Sequence, residues 1–165
     1  MDVRKTPVLL LLALASTGCV GRFLRLGAGA CHPVQPSEAT TGWSIDFDDI
    51  TTRGTGWRVG YCAVSDSNDR LSTVDAGFVF QRPAFPVEAR AFHVDMGLAR
   101  HSIAGQTAWG PVVGVSYHML IGKMTVPILS MRLAYSPVLG EQDFPFSDVL
   151  TFSTGLSLWY FDDGA

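Results

Sequence analysis

Residues 109–121 read Trp-Gly-Pro-Val-Val-Gly-Val-Ser-Tyr-His-Met-Leu-Ile, and their alternation decides the fold. Val113, Val115, Tyr117, Met119 and Ile121 fall on one face, and Gly114, Ser116 and His118 fall on the other. A period of two is the signature of a β-strand. The second face carries the information. In a soluble sheet the polar face meets water and carries Lys, Glu, Thr and Arg. Here it carries small residues and an isolated imidazole, which suit the crowded interior of a narrow barrel.

The same alternation runs through most of the chain. Residues 148–161 set Leu150, Phe152, Leu156, Leu158 and Tyr160 against Thr151, Ser153, Gly155 and Ser157. Residues 87–99 set Phe92, Val94, Met96 and Leu98 against Ala91, His93, Asp95 and Gly97. Residues 72–81 oppose Val74, Ala76, Phe78 and Phe80 to Asp75, Gly77 and Gln81, and 57–65 oppose Trp57, Val59 and Tyr61 to Arg58, Gly60 and Cys62. Residues 124–136 set Leu129, Met131, Leu133 and Tyr135 against Ser130, Arg132, Ala134 and Ser136. Fainter strands read at 43–50, with Trp43, Ile45 and Phe47, and at 22–31, with Leu24, Leu26 and Ala28.

Eight strands are expected, each near the 9–11 residues that a tilted strand needs to cross a bilayer. The fold class is therefore all-β, a small antiparallel up-and-down barrel whose apolar face meets lipid. A soluble β-sandwich or lipocalin-like barrel on a lipid tether shares the period and is the alternative. Trp43, Trp57, Trp109 and Trp159 stand near strand ends, where membrane barrels carry aromatic girdles. Residues 32–42, 100–108 and 137–147 read as long connections, and Gly122-Lys123 reads as a tight turn. The long ones gather at one end, and an even strand number places both chain ends at the other.

Composition agrees with strands. From Cys19 onward there are one Lys (Lys123) and three Glu (Glu38, Glu88, Glu141), the residues that fill helix surfaces. That part holds ten basic and fourteen acidic residues, a net charge of −4. Nucleic acid is not expected as a partner, since it needs a basic face.

The N-terminal segment has its own chemistry. Arg4 and Lys5 precede the apolar run Val8–Ala15, too short to span a bilayer, and small residues lead to Cys19. The ending Leu14-Ala-Ser-Thr-Gly-Cys19 resembles the lipobox of bacterial lipoproteins, with Ser16 where that family usually has Leu. The resemblance implies that residues 1–18 are a signal peptide cut after Gly18 and that Cys19 receives a diacylglycerol. It also implies the outer membrane as destination, since Val20 is not the Asp that retains such proteins at the inner membrane. Residues 19–165 then form one domain. In pattern this part resembles the small eight-stranded outer-membrane barrels, although it ends Phe161-Asp-Asp-Gly-Ala rather than on an aromatic residue.

Candidate sites follow from side-chain chemistry. Cys31 and Cys62 are left after Cys19, in a compartment that permits disulfides, and either a bridge or two buried thiols fits. His93 and Asp95 share a face, as do Ser116 and His118 on the next strand. Ser116, His118 and Asp95 are the residues of a conceivable lipid hydrolase, since a serine nucleophile needs a base and an orienting acid. No nucleophile frame surrounds Ser116. The favoured reading is a structural polar network of His93, Asp95, His118 and Arg132. No cofactor and no metal are expected: His93 with His118 falls short of the four ligands of structural zinc. Asp46, Asp48 and Asp49 lack the pattern of a calcium loop and read as a solvated strand end. The functional expectation is a lipid-anchored, non-catalytic envelope protein, structural or adhesive, that meets membrane lipid through Cys19 and its apolar face. The alternatives are the hydrolase and a periplasmic β-domain that binds an apolar ligand.

Overall fold

The structure, a computed structural model, describes residues 22–35, 42–65, 70–82, 90–120, 128–139 and 144–162. The signal segment, Cys19, and the Gly122-Lys123 turn lie outside these residues. Eight strands run in order: β1 (Arg22–Gln35), β2 (Gly42–Thr51), β3 (Thr55–Ser65), β4 (Arg70–Arg82), β5 (Arg90–Ile103), β6 (Gln106–Leu120), β7 (Ile128–Pro137) and β8 (Asp148–Asp162). Each pairs antiparallel with the next, and β8 closes on β1. Arg22 pairs with Asp162, so both ends of the described chain lie at one rim, here the terminal rim. The opposite rim is the distal one.

The two faces separate as the alternation requires. In register, Val94, Val115 and Leu133 stand side by side on β5, β6 and β7 and are 41%, 51% and 48% exposed. One residue further, His93 and Ser116 lie beside Arg132, and the first two are only 2% and 4% exposed. The small-residue face points inward and the apolar face outward. This is the reverse of a soluble sandwich or lipocalin, whose apolar side chains fill the inside.

Two expectations about connections are corrected. Residues 100–108 are not a long loop. β5 and β6 extend to Ile103 and from Gln106, and only Ala104-Gly105 joins them. Both have positive φ, 50° and 81°, which a two-residue type I′ hairpin requires. Ala is seldom found there, so the sequence gives no Asn-Gly signal. β1 likewise runs on to Gln35 and shortens the 32–42 connection. The links are then residues 36–41, 66–69, 104–105 and 138–147 at the distal rim, and 52–54, 83–89 and 121–127 at the terminal rim. Neither rim has consistently longer loops, so loop length gives no orientation. Ala104→Asn, which tolerates positive φ, should raise stability by up to about 1 kcal/mol. An unchanged or lower urea midpoint would speak against strain at this turn.

The interior is filled. Under the distal rim, Cys31, Val64, Leu71, Ile103, Ala108, Phe144 and Val149 form an apolar cluster. Phe144 comes from the β7–β8 connection and is 7% exposed, with its ring packed on Phe146 and His101. Toward the terminal rim, Ala91, Ile128 and Trp159 form a second, smaller cluster. The polar residues lie between these two apolar layers.

Candidate functional site

The centre of the barrel is a network of seven charged side chains. Arg25 Nε lies 2.6 Å from Asp48 Oδ2, and Arg25 also pairs with Asp46. Arg58 is 4% exposed and faces three carboxylates: Asp75 Oδ1 at 3.3 Å, Asp95 Oδ1 at 3.5 Å and Asp48 Oδ1 at 3.6 Å. Arg132 grips Asp95 with two bonds, Nη2–Oδ1 at 2.6 Å and Nε–Oδ2 at 3.1 Å, and reaches Asp75 Oδ1 at 3.2 Å. The cluster draws on β1, β2, β3, β4, β5 and β7. In low dielectric such charges persist only when paired and hydrogen-bonded.

Glycines make the room. A Cβ at Gly114 would lie 2.4 Å from Asp95 Oδ2 and 2.8 Å from Arg132 Nε. One at Gly60 would lie 2.8 Å from both Arg58 Nη2 and Asp75 Oδ2. The small inward residues are thus the sites over which the long charged side chains fold.

A histidine layer lies between the charges and Trp159. His93 Nδ1 is 3.2 Å from His118 Nε2 and 3.7 Å from Asp48 Oδ2. The outer nitrogens are engaged too: His93 Nε2 with Gln81 Oε1 at 2.6 Å, and His118 Nδ1 with Ser130 Oγ at 2.8 Å. Ser130 Oγ also contacts Ser157 Oγ at 2.7 Å. Trp159 packs edge-on against both rings. Toward the distal rim, His101 bonds Thr73 Oγ1 at 3.0 Å and Ser136 Oγ at 2.9 Å.

The sequence-derived candidates are distributed as follows. His93 meets His118, and Asp95 meets Arg132. Among the described residues the two pairs are linked through Asp48, Arg58 and Asp75, which the expected network left out. Ser116 is inward and buried, but the ring nitrogens of His118 face Ser130 and His93 instead. Asp95 is held by Arg132. Ser116, His118 and Asp95 are therefore not arranged as nucleophile, base and orienting acid. Cys31 and Cys62 form a disulfide near the distal rim. Asp46, Asp48 and Asp49 are not a solvated strand end: Asp48 and Asp49 are 1% and 7% exposed, and Asp48 pairs with Arg25 and Arg58 on the two neighbouring strands. Trp159 is not a girdle residue, since it shares the inward face with Ser157.

Comparison with solved structures places this geometry among known folds. The N-terminal barrel domain of Pseudomonas aeruginosa OprF matches with a TM-score of 0.59 at 8% identity, covering 87% of this chain and 100% of that one. Yersinia pestis Ail matches at 0.56 and 12% identity, covering 86% and 99%. Neisserial surface protein A matches at 0.56 and 11% identity, covering 84% and 95%. This chain has the fold of the small eight-stranded outer-membrane barrels. No protein-family model and no curated protein matches its sequence. At these identities the likeness concerns the backbone alone, and the charged interior is described from this chain's own residues.

Proposed function

We propose that the chain is an envelope barrel that spans the bacterial outer membrane, anchored also by lipid on Cys19, with a structural or adhesive role and no catalysis. The observation that carries this reading is the outer belt. On β5 the outward residues are Arg90, Phe92, Val94, Met96, Leu98 and Arg100, so two arginines bracket four apolar side chains. Ten residues of strand measure about 33 Å. Tilted by about 40°, they rise about 25 Å, the height of the apolar band of a membrane barrel.

Aromatic side chains edge the belt at both rims. Trp43 packs on Tyr61 at the distal rim under Arg70, and Trp109 and Tyr135 stand near the distal ends of β6 and β7. Phe47 packs on Trp57, and Phe92 on Tyr117, toward the terminal rim. Aromatic rings that are part apolar and part polar favour the two membrane interfaces. Cys19 precedes Arg22 by three residues, a reach of about 10 Å, so a lipid on it would enter the leaflet at the terminal rim. That rim is then periplasmic. The interior guanidiniums and carboxylates are engaged in ion pairs with one another, which supports a non-catalytic role.

The test separates anchor from span. Radiolabelled palmitate should enter the wild-type chain but not Cys19→Ala, and equal labelling would overturn the anchor. A second version, residues 20–165 exported behind an ordinary secretory signal, should stay in the membrane pellet after alkaline carbonate. Its release into the soluble fraction would overturn the span and favour a tethered periplasmic domain.

A further inference from the structure

We propose that Asp48, His93 and His118 form a binding site for one divalent transition-metal ion of the zinc type, which links β2 to β5 and β6 across the lumen. The three residues are 1%, 2% and 1% exposed. Their ligand atoms lie within 4.8 Å of one another. His93 Nδ1 and His118 Nε2 are 3.2 Å apart, and His93 Nδ1 and Asp48 Oδ2 are 3.7 Å apart. Around tetrahedral zinc, with bonds of about 2.0–2.1 Å, neighbouring ligand atoms are about 3.3 Å apart. Two of the three separations are already close to that spacing, and the third, between Asp48 and His118, is at most 4.8 Å and would shorten on binding.

Three further observations point to a cation. The first is the outer partners. Metal-binding imidazoles usually have their other nitrogen fixed by an oxygen, and ligating carboxylates are themselves hydrogen-bonded. Gln81 Oε1 holds His93 Nε2, Ser130 Oγ holds His118 Nδ1, and Arg25 Nε holds Asp48 Oδ2. With His93 Nε2–H donating to Gln81 Oε1, Nδ1 carries a lone pair toward the Asp48 carboxylate. Before metal binds, that lone pair accepts from His118 Nε2–H at 3.2 Å, while the Asp48 carboxylate faces it at 3.7 Å with no proton between them. On binding, His118 shifts its proton to Nδ1, where Ser130 Oγ accepts it, and Nε2 is freed for the metal.

The second is Asp48 Oδ1. It is buried and has no hydrogen-bond partner among the described residues; its nearest cation is Arg58 Nε at 3.6 Å. It or a water would complete the coordination. The third is charge. The ion-paired cluster holds three guanidiniums and four carboxylates, one negative charge in excess with neutral imidazoles. A proton shared by the two histidines would also balance that charge, and the experiment separates the two accounts. Trp159 seals the histidine layer on one side and the apolar cluster under the distal rim closes the barrel on the other, so the ion's role would be structural.

The whole mature chain should be refolded from urea into detergent, once with zinc and once with chelator, so that entry into a closed barrel is no obstacle. Zinc-refolded protein should hold one equivalent after desalting, and cobalt should give the visible absorption of a tetrahedral site. His93→Gln and His118→Gln should weaken zinc by more than the about 10–100-fold that loss of an outer partner costs. His101→Gln, the same change elsewhere in the lumen, should bind as wild type. If the His93 and His118 variants fail to fold, the wild type still decides: zinc should raise its thermal midpoint. No retained zinc and no shift in the wild type would overturn the site and leave the shared proton. Equal binding by His118→Gln and wild type would overturn it as well.

Discussion

Arg58→Met should destabilise the barrel by about 3–5 kcal/mol, the cost of removing one partner from a buried charge network. Arg58 lies within 3.6 Å of Asp48, Asp75 and Asp95 and is almost fully buried. Met keeps the length of the side chain but removes the charge, so the cavity cost is small and the electrostatic loss dominates. The cluster would then hold two guanidiniums against four carboxylates. Asp75 and Asp95 retain Arg132, but Asp48 loses its second cation and depends on Arg25 alone. The double variant Arg58→Met/Asp75→Asn restores the original balance and should recover part of the loss. Urea unfolding of the four proteins of this cycle isolates the coupling. Additive effects would mean that Arg58 contributes through packing and not through the network.

The outward belt was legible because lipid and lumen demand opposite residue types on alternate positions. Val113 and Val115 against Gly114 and Ser116 assign the faces of β6 without any partner strand. Inward Arg25, Arg58, Asp75, Asp95 and Arg132 obey the same parity, so most of the charged centre was readable once the barrel was accepted. Of the partnerships, Asp95 with Arg132 was expected, with a histidine as the alternative, and the others were not: Arg25 and Asp48 are 23 residues apart, and Arg58 and Asp95 are 37 apart. Such pairings depend on register and rotamer, which alternation does not specify. Asp46 and Asp48 were misread for that reason: two acids near a third look solvated until the arginines opposite them are known. Trp159 was misplaced by its position near a strand end, although its parity with Ser157 placed it inside. The Ala104-Gly105 turn was hidden because Ala carries no signal for positive φ.

Val115→Arg is the decisive substitution for the membrane reading, and it should cost about 2–4 kcal/mol in a bilayer. Val115 stands in the middle of the belt, paired with Val94 and Leu133, and is 51% exposed. If water surrounds the barrel, an arginine there is an ordinary surface change of at most about 0.5 kcal/mol either way. If lipid surrounds it, the guanidinium lies where no water solvates it. Depth supplies the internal control. Leu139 bridges to Trp109 at the distal rim and is 60% exposed, more than Val115. Leu139→Arg should nonetheless cost only about 0–1 kcal/mol, because the penalty falls off toward the interface. Exposure to solvent and depth in a bilayer thus rank the two variants oppositely. Refolding into lipid vesicles and measuring urea unfolding gives both costs. Equal, near-zero costs would remove the bilayer from around this barrel and leave its apolar belt to be covered by protein.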